Sequence, residues 1–143
     1  MFSVCLLLSC LASPILADGS QFAAGLTLYR RGHFQQAVRV FEREVQMQPR
    51  DSESHHWLGK SLGRLANDLP WYEAITVARR SGKEMEIAVE LDPYNAEAVE
   101  SLMLFYEHAP VLLGGGKASA KRLRERIAQL GLTVQRGNLK GIH

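Results

Sequence analysis

His55 and His56 stand side by side, two residues after Glu53, and are residue types that suit a metal ion. Successive helical residues point about 100° apart, so the pair cannot easily ligate one ion from a helix. His33 and His108 fall at the ends of expected helices, where capping or solvation accounts for them. There is no HExxH and no paired-cysteine pattern. The two cysteines, Cys5 and Cys10, both lie within residues 1–17, and no Ser-His-Asp or Cys-His spacing stands out. The expectation is therefore no metal site, no cofactor and no catalytic residue.

Leu113-Gly114-Gly115-Gly116-Lys117-Ala118-Ser119 is the other conspicuous stretch. A phosphate loop needs two glycines separated by four residues, then Lys and Ser or Thr, after a strand. Here Ala118 follows Lys117 and no strand is expected before it. Free backbone amides at the helix start, helped by Lys117, would suit an anion. The simpler reading is a turn that needs positive φ. The run Lys121-Arg122-Leu123-Arg124-Glu125-Arg126 reads as a solvated helix face diluted by Glu125, and nucleic acid is not an expected partner. Trp57, Trp71, Tyr72 and Tyr94 lie near helix starts and turns and read as packing residues.

The elements that must carry these residues are helices. At 143 residues the chain suits one domain, and apolar residues recur at helical rather than strand spacing. Residues 1–17 hold no charge and form an apolar run broken at Pro14, ending in Ala17 before Asp18. That is the shape of a signal peptide, although no Lys or Arg precedes it; a buried helix is the alternative. Leu7-Leu8-Ser9-Cys10 loosely matches a lipoprotein box, so an acylated Cys10 would supply a membrane tether. The processed chain would carry all the side-chain charge, net +2, and be exported, periplasmic or secreted.

Six helices are expected: about 21–31, 34–48, 53–66, 71–91, 96–107 and 117–130. Gly32 closes the first as a positive-φ stop, Pro49 follows the second and Ser52 caps the third. Ala37, Val38, Phe41 and Val45 share one face of the second helix. Pro70 suits the first turn of the fourth, whose stripe is Ile75, Ala78, Met85, Ala88 and Val89. Residues 131–143 hold three glycines and no helical stripe, and read as a flexible tail; no strand is expected.

Gly25 and Gly59 are 34 residues apart, the period of a tetratricopeptide repeat. Residues 18–49 resemble one such repeat: Ala24-Gly25 at the small-residue position, Gly32 at the turn, Phe34, Ala37 and Phe41 at packing positions, Pro49 at the close. Residues 52–93 resemble a second, with Leu58-Gly59 and Leu91-Asp92-Pro93, but Pro49 to Pro93 spans ten residues more than the period. A third begins at Asn95 and is interrupted by the glycines at 114–116. The resemblance, to exported bacterial tetratricopeptide proteins, covers about residues 20–130. It implies an all-α right-handed superhelix of about three antiparallel pairs, over residues 18–130.

In that family the first helix of each pair lines a groove that binds a protein or peptide. Carried over, the groove takes Phe22, Leu26, Tyr29 and Arg30 from the first unit. The second supplies His56, Lys60, Gly63 and Arg64. The third supplies Asn95, Val99, Leu102 and Met103, with Tyr106 a turn further on. Arg30, Lys60 and Arg64 would make it mildly basic, suited to a carboxylate or acidic side chains. The Lys and Asn pattern of carboxylate-clamp members is not matched in the first unit. The resemblance implies a scaffold or adaptor in the cell envelope without catalysis; the alternative is a module that binds a small ligand or serves a transporter.

Overall fold

A computed structural model describes residues 18–135 and 138–141. The proposed signal segment and both cysteines lie outside these residues. The body is all-helical: α1 (Asp18–Arg30), α2 (Phe34–Met47), α3 (Ser52–Ala66), α4 (Trp71–Leu91), α5 (Ala96–His108) and α6 (Lys117–Gln129), with a 3-10 turn at Val111–Leu113. Each helix packs on the next, and α3 also touches both α1 and α5.

Local chemistry accounts for the breaks. Gly32, at φ 79°, closes α1: the His33 amide donates to Leu28 O at 2.9 Å and the Gly32 amide to Tyr29 O at 3.0 Å. That double bond is the Schellman stop. Asp51, not Ser52, caps α3 by accepting from the Ser54 amide at 2.9 Å. Ser52 instead donates its hydroxyl to Ala88 O at 2.9 Å, pinning the start of α3 to the end of α4. Pro70 is the N-cap of α4, which begins at Trp71. The ten extra residues of the second unit are absorbed by α4 itself, a continuous helix of 21 residues.

The apolar interior forms two clusters. Ala37, Val38, Phe41, Leu58 and Leu62 make the first, with Phe22, Tyr29 and Trp57 packed against it. Met85, Ala88, Val89, Ala98, Val99, Leu102, Met103, Tyr106, Ala120, Leu123 and Ile127 make the second. Between them α3 and α4 lie very close. A Cβ on Gly59 would stand 2.7 Å from Met85 Cγ and 3.1 Å from Ser81 O. Buried Ser81 donates to Gly59 O at 2.8 Å, so the seam is hydrogen-bonded where it has no room for apolar side chains.

The tail corrects the expectation of no strand. Leu132–Gln135 and Asn138–Gly141 pair as an antiparallel hairpin, with Leu132 opposite Gly141 and Gln135 opposite Asn138. Thr133-Val134 is a β-branched pair whose strand preference is expressed once the hairpin rests beside α5 and α6. Among the described residues no helix is long and apolar enough to cross a membrane.

Candidate functional site

Where α1, α3, α4 and α5 come together, Tyr29, Lys60, Gly63, Arg64, Ser81, Met85, Ser101, Leu104 and Phe105 line a cavity of about 240 Å³. Lys60, Gly63 and Arg64 share one face of α3 by their spacing of three and four. Phe105 lies over Gly82 of α4, where a Cβ would stand 2.5 Å from the ring. Leu104 projects from α5 with 49% of its surface exposed.

Aromatic rings hold the two cations. Tyr29 meets Trp57 edge-on at 5.3 Å and Phe34 at 5.5 Å. Lys60 Nζ lies 4.2 Å from the Trp57 ring centre and 3.1 Å from Glu97 Oε1. The Arg64 guanidinium lies 5.1 Å from the Phe34 ring centre. Among the described residues no carboxylate pairs with it, so this exposed cation stays available at the rim. The arrangement offers an apolar floor beside a cation that a carboxylate can still reach. Its Ser101 Oγ lies 2.9 Å from the buried His56 Nε2, and among the described residues no group of His, Cys, Asp or Glu is gathered as for a metal ion.

Of the thirteen groove residues assigned from sequence, Tyr29, Lys60, Gly63 and Arg64 meet in this cavity. Arg30 is exposed at the end of α1 and does not line it. Phe22 packs edge-on against Phe41 at 5.5 Å and borders a separate depression with Glu44 and Gln48. His56 is buried, 1% exposed, with Nε2 2.9 Å from Ser101 Oγ. Burial pushes its pKa down to about 4, helped by the Lys60 charge and opposed by Glu97. Asn95 is the N-cap of α5, accepting from the Ala98 amide at 3.0 Å. Tyr106 is turned toward α4, donating its hydroxyl to Glu86 Oε1 at 2.6 Å; burial first, then that carboxylate, push its pKa well above the ordinary tyrosine value.

The corrections on α5 share one cause. Ala98, Val99, Leu102, Met103 and Tyr106 form the buried face of α5 and so are consumed by the core. The face turned to the groove is therefore Glu97, Ser101, Leu104 and Phe105. Transferring positions from the first two units missed that rotation.

The other sequence candidates resolve into structure. His55 makes contacts with Glu84 Oε2 at 2.7 Å and Pro49 O at 3.1 Å. The carbonyl can only accept, so His55 Nε2 carries a proton. In the glycine turn, the Gly114, Gly115 and Gly116 amides donate to Val111 O, Pro110 O and Tyr106 O, so these three are taken up by the turn itself. Gly114 and Gly116 have φ of 95° and 104°, and a Cβ on Gly115 would stand 2.1 Å from Ala109 O. Trp57 packs as expected, but Trp71, Tyr72 and Tyr94 are 77%, 60% and 62% exposed. Trp71 and Tyr72 open α4 and meet each other edge-on at 5.9 Å, and Tyr94 lies in the turn before α5. On α6, Lys121 pairs with Glu125 and Arg124 with Glu107, both exposed. No family model matches the chain, and no curated protein matches it.

Proposed function

We propose that the chain is a tetratricopeptide-like adaptor that works without catalysis after export to the cell envelope. It holds a protein or peptide partner in the groove between Tyr29, Lys60, Arg64 and Leu104. The observation that carries this reading is the pairing of an exposed apolar residue, Leu104, with an exposed cation, Arg64, that no carboxylate neutralises among the described residues. An apolar anchor fits the floor of Met85, Leu104 and Phe105, and a carboxylate beside it completes the ring-held cations. The stacked helix pairs and the period between Gly25 and Gly59 support the repeat reading.

The test is co-purification of the tagged chain from its own host, wild type against Arg64→Glu with Leu104→Ala. Both side chains are exposed, so the fold should survive the change. A partner recovered with the wild type and lost from the variant, while an Arg43→Glu control on α2 retains it, supports the adaptor. A partner held equally by all three proteins removes the groove from the reading.

A further inference from the structure

A second cavity, of about 270 Å³, opens between α4 and α6 with α5 as its floor. It uses a different face of these helices from the groove: Glu86 and Glu90 on α4 rather than Ser81 and Met85, and Leu102 and Tyr106 on α5 rather than Ser101, Leu104 and Phe105. Glu86 and Glu90 stand one turn apart, as do Arg122 and Arg126 on α6 across the gap. Both pairs line the same space, yet among the described residues no carboxylate of one reaches ion-pairing distance of a guanidinium of the other. α4 and α6 pack on α5 rather than on each other, which holds the two charged walls apart.

Two contacts orient the walls. Tyr106 donates to Glu86 Oε1 at 2.6 Å, and Arg122 Nη2 donates to Ser119 Oγ at 2.9 Å. Each uses only part of its group's capacity: Glu86 keeps its second oxygen, and Arg122 keeps its remaining N–H donors. Leu102 and Leu123 supply a small apolar floor. The result is a pocket with anions on one side, cations on the other and room for a small molecule between.

We infer that this cleft binds a small zwitterion of the amino-acid or dipeptide class, its ammonium held by Glu86 and Glu90 and its carboxylate by Arg122 and Arg126. A ligand with one charge would satisfy one wall and leave the other unpaired. A ligand with both bridges the gap that the protein's own side chains do not close. The site is separate from the groove, so it stands or falls independently of the adaptor reading.

The experiment is a heteronuclear NMR titration of the folded chain with alanyl-alanine and with leucine. N-acetyl-leucine, which keeps only the anion, and leucine amide, which keeps only the cation, serve as controls. One or both zwitterions should give saturable shifts at Tyr106, Ser119 and Leu123, with each singly charged control weaker by about tenfold or more. Arg126→Gln, a change at an exposed residue, should weaken zwitterion binding by a similar factor with an unchanged helical circular dichroism spectrum. The inference is overturned if neither zwitterion saturates below about 10 mM, if a control binds as well, or if Arg126→Gln binds like the wild type.

Discussion

Acidification should weaken the fold through His56, and the size of the effect follows from its surroundings. The ring belongs to α3 and is 1% exposed. It faces Ser101 and Glu97 from α5, with Trp57 and Lys60 on its own helix. Burial and the Lys60 charge lower its pKa from 6.5 to about 4. The unfolded chain therefore takes up a proton near pH 6.5, while the folded chain resists until about pH 4. Between those values the unfolded state binds more protons, so stability is complete above the window and is lost as pH falls through it. At 1.36 kcal/mol per unit, the full shift corresponds to about 3 kcal/mol. Denaturant unfolding by circular dichroism at about pH 7.5 and about pH 4.5 reads most of this loss. His56→Gln keeps a polar group near Ser101 but cannot titrate; contributions from all other groups cancel in the comparison. Wild type should lose roughly 2–3 kcal/mol more than the variant over that interval. Parallel losses would show that His56 is not a buried neutral base.

Four further outcomes test other parts of the structure. Phe41→Ala removes a fully buried ring that meets Phe22 and Trp57, and should cost about 3–5 kcal/mol in denaturant unfolding. Gly59→Ala places a methyl 2.7 Å from Met85 Cγ and 3.1 Å from Ser81 O. Forcing α3 and α4 apart should cost about 1–3 kcal/mol, against a smaller change for Gly19→Ala, where nothing lies within 4 Å. Trp71→Ala, at an exposed position, should shift stability by less than about 0.5 kcal/mol; a larger loss would place Trp71 in a packed interface. Mass spectrometry of exported protein should find Asp18 at the amino terminus, whereas an acylated Cys10 would establish a lipid anchor.

Most of the helical layout was legible because its punctuation is local. Gly32, Pro49, Pro70 and Asn95 act within a few residues, so helices at about 34–48 and 71–91 were expected where α2 and α4 stand. The packing role of Gly59 was also readable from its spacing, although the atoms that meet it, Met85 and Ser81, were not. Three things were hidden. Asp51 and Ser52 are both able to cap, and which one does depends on Ser52 reaching Ala88, 36 residues away. The tail carries too few apolar residues to mark a strand by alternation, and its pairing depends on neighbours supplied by α5 and α6. The groove face of α5 is set by which residues the second core cluster takes. That cluster claimed Tyr106 and left Leu104 outside, a choice no residue spacing announces. His56 was misplaced for the same reason: basic and polar by type, it is held inside by one hydroxyl on a helix two elements later.

The groove between Lys60, Arg64 and Leu104 is tested most directly by photo-crosslinking in the living host. A benzophenone amino acid replaces Leu104 in one strain and exposed Arg43 of α2 in another. Partner occupancy of the groove predicts a discrete adduct from position 104, abolished by Arg64→Glu, and no such adduct from position 43. No adduct from position 104, or the same adduct from both positions, would contradict it.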